Sequence, residues 1–264
     1  MGTALETFVE EAKHLSDHFA SQTVFSIAGW DVTQYTLWLF IAIAVTLIVL
    51  LSAAKKLTLV PDNKLSKIIE YLYNFVNTNI GEDIIGHGFK QHIPFLATLF
   101  FFILVSNILG LVPGFKTGTG SLSITWALAV ISFIYFNFWG FKSMGPVGYA
   151  TTLVPSGTPW YMVPIVWFLE FFSMIIRPLT LAVRLYGNML AGHMVLAVFA
   201  LATTIFIQSS LMGASMNLVG ALPSVAWFFL LVVMYAMECL VAFLQAFVFA
   251  VLSSSYIGSA IHKH

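Results

Sequence analysis

The sequence predicts an all-α integral membrane protein: five membrane-crossing helices and one interfacial amphipathic helix, with the last two crossings long and tilted as a hairpin. Three observations lead there. Hydrophobic residues make up 59% of the 264 and charged ones 8%. A soluble domain carries about 25% charge, so this chain cannot cover a water-facing surface. Apolar runs recur at about the 20-residue length that carries a helix across ~30 Å of hydrocarbon. From residue 160 onward, two apolar stretches run well beyond that length. The same composition excludes whole classes of function. Net charge is zero and the pI is near 7.1, which argues against a nucleic-acid partner. The single cysteine, Cys239, has no internal disulfide partner and reads as a small buried apolar residue. No glycine-rich nucleotide loop, zinc spacing or nucleophile elbow occurs. Neither a metal nor a cofactor is expected, nor catalytic chemistry in this chain itself.

The elements follow in order. Residues 1–33 form a polar tail in which Glu6, Glu10, Glu11, Asp17 and Asp31 stand against one lysine, Lys13. The tail lacks the basic start of a cleavable signal. Residues 34–54 carry the first crossing, with its apolar run from Tyr35 to Ala54, and Lys55 and Lys56 follow at once, then Lys64 and Lys67. By the positive-inside rule that end is cytoplasmic and the acidic tail is outside. Over residues 62–88, Leu65, Ile68, Ile69, Leu72, Phe75, Val76 and Ile80 recur at helical spacing among polar residues. That pattern predicts an amphipathic helix on the cytoplasmic membrane surface; a soluble-domain helix is the plainer alternative, but no soluble domain exists for it to join. Residues 93–142 form a transmembrane hairpin, with runs from Ile93 to Val112 and from Leu122 to Phe141 joined by a loop containing Lys116. Lys142 and a Gly/Pro loop through Pro159 return the chain to the cytoplasmic side.

Residues 160–264 form the long hairpin. A helix over the apolar stretch from Tyr161 to Gln208 reaches about 70 Å, and one from Leu222 to Tyr256 roughly 50 Å. The first is either two spans broken near Gly187 or one strongly tilted or curved helix. One crossing each leaves Lys263 in the cytoplasm, as the lysine bias prefers.

The first long stretch also holds the only two arginines of the chain, Arg177 and Arg184. An arginine at mid-bilayer is disfavoured by roughly 2.5–3.5 kcal/mol on insertion scales. Glu170, Ser173, Arg177, Thr180, Arg184 and Asn188 are spaced three or four apart, which at about 100° per residue makes one polar stripe. Such stripes face a bundle interior or a wet cavity rather than lipid. Internal neutralisation by Glu170 accounts for one arginine at most, so the second needs an anion from the other long helix or from another protein. That second helix supplies Glu238, with Gln245 one heptad on. His193 lies nine residues beyond Arg184, about half a turn away from the stripe. Paired with a carboxylate it makes a plausible proton relay; taken alone, a buried histidine is more often structural. Thr203 and Thr204 read as backbone-bonded helix residues. Arginine stays charged and relays no proton, so between two wet cavities it is a barrier to protons and drives ionisation of any carboxylate brought beside it.

These residues carry a resemblance. "RLYGNMLAGH" from Arg184 to His193, "PLTLAVRL" before it and "ECLVAFLQAFVFAVLSSSYI" after it closely resemble subunit a of the F-type ATP synthase, over most of the chain. The resemblance implies that the two long helices lie obliquely against a rotating ring of c subunits, with b-type peripheral stalk subunits and the rest of the F-type complex as further partners, alongside membrane lipids. It assigns Arg184 to the essential arginine facing the ring carboxylate, with Asn188 in the same motif and Gln245 beside it. His193 and Glu238 match the pair lining the outer half-channel; in some relatives the two exchange positions. Glu170 matches an acidic position of the cytoplasmic half-channel, while Arg177 and Ser173 are accessory. Tyr186 departs from the phenylalanine of many relatives but keeps an aromatic ring. The implied setting is a bacterial inner membrane, with the N-terminus outside and the C-terminus cytoplasmic, in preference to a mitochondrial or plastid one. Two rivals remain: a secondary proton-coupled transporter, which usually shows internal repeats that are not seen here, and a purely structural membrane subunit, which leaves Arg184, His193 and Glu238 unexplained.

Overall fold

A computed structural model describes residues 23–27, 30–54, 64–112, 115, 117–152, 158–212 and 218–261. Most charges behind the orientation expectation (Glu6 to Asp17, Lys55, Lys56, Lys116 and Lys263) lie outside the described residues. The polar tail ends in structure the spacing does not announce. Strands β1 (Thr23–Ile27) and β2 (Trp30–Thr33) pair antiparallel, with Phe25 opposite Val32 and Ile27 opposite Trp30. β-branched and aromatic residues dominate both, which suits a pleated ribbon. Among the described residues everything else regular is helical, and five helices are long and apolar enough to cross a membrane.

Helix α1 (Gln34–Ala54) follows the hairpin directly and exposes Phe40, Leu47, Ile48 and Leu51, a surface suited to lipid. Helix α2 (Lys64–Phe75) presents Leu65, Ile68 and Tyr71 outward. It then widens into π-helix over Val76–Glu82 and closes with a turn, Asp83–Ile85, ending at Gly86 with φ 73°. Val76, Ile80 and Ile85 in this later part are buried. A π turn displaces backbone groups from the ordinary helical ladder, and the Ile80 carbonyl accepts a hydrogen bond from Ser254 Oγ at 2.7 Å.

Helix α3 (Ile93–Gly110), opened by Pro94 where a missing N–H does no harm, is the most enclosed of the spans. Leu96, Phe100 and Ile103 form its buried spine, with Phe243 and Phe247 gathered around Phe75 and Phe243 also meeting Phe100. Helix α4 (Leu122–Thr152) outruns the expected span because Gly145, at φ 74° and ψ 165°, bends the chain and lets a helical return segment begin at Pro146. That segment folds back so that Tyr149 rests against Gly140 and donates to Asn137 Oδ1 at 3.1 Å.

Helix α5 (Val163–Met212) runs for 50 residues, and α6 (Leu218–Ile261) for 44. The first long stretch is therefore one helix, unbroken at Gly187. It also passes through Pro178, whose ring leaves the carbonyl four residues back, that of Met174, without its helical donor. At 1.5 Å per residue the two helices reach about 75 and 66 Å, so each crosses a bilayer only obliquely or with ends projecting. The core lies where α3, α4, α5 and α6 meet.

Candidate functional site

The charges of α5 divide unequally. Arg177 Nη2 lies 3.3 Å from Glu170 Oε1, seven residues back on the same face, and its guanidinium sits 5.2 Å from the centre of the Tyr256 ring on α6. The carbonyl of Arg177 accepts from Thr180 Oγ1 at 2.9 Å. Ser173 is half-buried between them in sequence. Arg184, by contrast, is exposed, and among the described residues it has neither an ion pair nor a hydrogen bond. Glu170 thus neutralises Arg177, and Arg184 is the surplus cation. Its charge points out of the subunit.

The opposite face of α5 turns inward, as the half-turn offset of His193 requires. At Gly192 the helix meets α6 so closely that an added Cβ would fall on the Glu238 carboxyl group. Any larger residue here would displace that carboxyl group. His193 Nε2 reaches α3, 3.2 Å from where a Cβ on Gly110 would stand, and the same space is bounded by the side chain of Thr117. Glu238 is buried to 7% exposure, whereas Gln245 is half-buried and makes no bond to Arg184 among the described residues.

Among the described residues four buried polar atoms have no hydrogen-bond partner: Ser106 Oγ, Asn188 Nδ2, His193 Nε2 and Glu238 Oε1. Ser106 lies one helical turn before Gly110, which His193 approaches, and Asn188 one turn before Gly192, between Arg184 and the contact with Glu238. A single unsatisfied buried group costs about 1–3 kcal/mol, and native interiors satisfy such groups with protein or ordered water. Two of the four, His193 and Glu238, are titratable, and unfilled hydrogen-bonding capacity on such groups is suited to water and to passing protons. Thr117, buried at Gly110, adds a polar side chain beside His193.

The two clusters lie at opposite ends of the bundle. The loop bearing Thr117 and Thr119 packs on Tyr35 and Leu39 at the start of α1, through Gly120 and Gly118. Arg177 instead lies on Tyr256 near the end of α6, with Tyr149 of the return segment close enough for its hydroxyl to feel the guanidinium. Burial raises the Tyr149 phenol above its ordinary value, and Arg177 pulls partly against that rise.

Sequence spacing places Glu170, Arg177 and Arg184 on one stripe and His193 away from it, and the structure keeps that division. It misses Ser106, Asn107, Thr117, Thr119 and Gly192. Asn107, an amide inside an apolar run, is the one with a visible signal; the glycine matters only through a neighbour 46 residues away in sequence.

The profile of a family described as "ATP synthase A chain" matches residues 36–258. A protein of Bradyrhizobium diazoefficiens named ATP synthase subunit a is 39% identical over 224 residues, covering 85% of this chain and 86% of the relative. One of Nocardioides sp. with the same name is 39% identical over 234 residues, covering 87% and 82%. A third, from Rhodopseudomonas palustris, is 34% identical over 242 residues, covering 91% and 93%.

Proposed function

The chain belongs to the ATP synthase A chain family, and on that premise we propose that it is the stationary membrane subunit guiding protons to and from a rotating ring of c subunits. The protein is a multi-pass membrane protein, and family membership sets the secondary-transporter reading aside. The observation that carries the proposal is the surplus charge: Arg184 faces outward unpaired while Glu170 is engaged by Arg177. An uncompensated arginine within an apolar helix calls for an anion on a partner, and a lipid-facing carboxylate of the ring supplies it.

In this reading protons arrive from outside through the chamber of His193 and Glu238 and neutralise a ring carboxylate. The neutral site turns through lipid until it reaches the cytoplasmic side near Glu170, where it gives up its proton. Once ionised it is held by Arg184, with Asn188 and Gln245 alongside, before it meets the outer chamber again. Arg184 keeps its own proton, so none leaks directly between the two half-channels. The separation of the two polar clusters to opposite ends of the bundle supports two offset half-channels. One charge moved through 100 mV is worth about 2.3 kcal/mol, so several protons must be added for each ATP made elsewhere in the complex. Ser173 and Arg177 are accessory, lining and neutralising the cytoplasmic side. The membrane is a bacterial inner membrane, with the N-terminus outside and the C-terminus cytoplasmic, and b-type subunits hold the chain against rotation.

ATP-driven proton uptake in inverted membrane vesicles tests this. With Arg184→Ala, uptake is expected to vanish while the complex still assembles. Wild-type uptake in the variant would end the rotary reading and leave the stripe structural.

A further inference from the structure

We propose that Asn107 and Thr119 are positioning residues that hold α6, and with it Glu238 and Gln245, in register with the outer half-channel. The inference rests on the proton path proposed above and adds two residues that path does not contain. Asn107 is completely buried in the middle of an apolar helix, where an amide is tolerated only if its donors and acceptor are used. Its Nδ2 donates to the carbonyl of Ala242 at 3.2 Å, and its Oδ1 accepts from Thr119 Oγ1 at 2.9 Å.

The position of Ala242 gives this pair its meaning. It lies four residues after Glu238 and three before Gln245, so all three share one face of α6. Ala242 is fully buried, and its methyl leaves the backbone within reach of a side chain from α3. The amide of Asn107 is thus attached to the same face that carries the proton-path residues.

Thr119 decides which way round that amide stands. It sits on the 3-10 turn Gly118–Gly120, wedged between α1 and α5, and is itself fully buried. Because its hydroxyl donates to Oδ1, the nitrogen end of the amide must face Ala242. Without that hydroxyl Oδ1 is left buried and unpaired, which is unfavourable, and one of the two bonds that fix the angle of the amide on Ala242 is lost. Helix α6 is then held less firmly at Ala242, and the carboxyl group of Glu238 one turn away is less tightly set against Gly192. Among the described residues the titratable groups around the junction are His193 on α5, Glu238 on α6, and Tyr35 on α1 with Tyr186 of α5 close to it. A change in their spacing alters how readily the chamber takes up a proton.

The test uses the whole complex reconstituted in lipid vesicles, with proton-driven ATP synthesis measured as the pH on the outer side is varied. Thr119→Val keeps the shape of the side chain and removes the donor. It is expected to slow synthesis about fivefold, as losing one such hydrogen bond implies, and to displace the midpoint of the outer-pH profile. Thr119→Ser, which keeps the donor, is expected to restore both. Glu238→Gln is run beside them. If Glu238→Gln is impaired and Thr119→Val keeps the wild-type rate and profile, the positioning role is wrong and the path stands. If Thr119→Val instead prevents assembly, or slows synthesis with an unmoved profile, the pair is packing alone and the inference falls. If Glu238→Gln is itself without effect, the proposed path fails, and the positioning role with it.

Discussion

Gly192 shows how a residue with no chemistry of its own can govern a proton path. An added methyl group would occupy the space of the Glu238 carboxyl group, so Gly192→Ala removes no titratable group and displaces one of them. The carboxyl group ends a flexible side chain and can yield, so assembly is expected to be retained while ATP-driven proton pumping falls because Glu238 is displaced. Pumping at the wild-type rate would mean that Glu238 tolerates displacement. A second residue, His92, tests burial in a different way. It lies just before α3, only 2% exposed, shares a hydrogen bond of 3.1 Å with the Tyr135 hydroxyl, and meets the Trp139 ring edge to face. Burial lowers its pKa below the ordinary 6.5. Above that value the folded and unfolded chains both hold a neutral imidazole, and nothing is lost. As pH falls below it, the unfolded chain takes up a proton that the folded chain resists, so stability drops until the folded group titrates too. The thermal midpoint of the detergent-solubilised complex should therefore fall on acidification. His92→Gln should flatten that dependence within the window and leave proton pumping near the wild-type level.

At the scale of elements, departures from regular helix do the positioning. The π-helical stretch Val76–Glu82 turns an element that begins with an outward apolar face into one that braces α6 through Ser254. Gly145 is the other device. Its φ of 74° with ψ of 165° belongs to a region occupied essentially by glycine. A Cβ there would meet no neighbour, so Gly145→Ala isolates backbone strain, about 1–3 kcal/mol. The expected result is a lower thermal midpoint and faster proteolysis of the segment around Tyr149; unchanged proteolysis would show that the return segment holds without its bend. Much of this level was legible. Apolar run lengths located α1, α3 and α4, and the three-and-four spacing drew the polar stripe of α5. The β-hairpin and the π turn were not, because short elements and ladder shifts leave no periodic trace. The continuity of α5 through Gly187 was left open by its composition and decided by packing against α6.

At the scale of the whole molecule, the apolar surface is divided between what the chain covers and what it offers outward. Phe168, Phe172 and Val183 on α5, and Phe228, Phe229 and Leu240 on α6, are all exposed, and Arg184 emerges among such residues. Charge accounting then predicts unequal roles for the two arginines. Arg177→Gln frees Glu170 from an ion pair inside the chain and is expected to reduce ATP-driven pumping by no more than about tenfold, as one such contact allows. Arg184→Gln removes the charge that answers a partner and is expected to abolish pumping in an assembled complex. Equal losses in the two variants, measured in the same vesicles, would mean that the internal pair is as much part of the path as the outward arginine.

Sequence alone determined the membrane setting, the number and order of the crossings, the stripe from Glu170 to Asn188, and the placing of His193 away from it. Each follows from composition or from a repeat along one helix, and local periodicity is written directly in the order of residues. Tertiary structure decided which arginine is neutralised, that Gly192 rather than a side chain faces Glu238, and that Asn107 reaches the Ala242 carbonyl held in place by Thr119. Those facts depend on how close separate helices come and in what register. That closeness is set by the packing of many side chains at once, and no single stretch of sequence carries it.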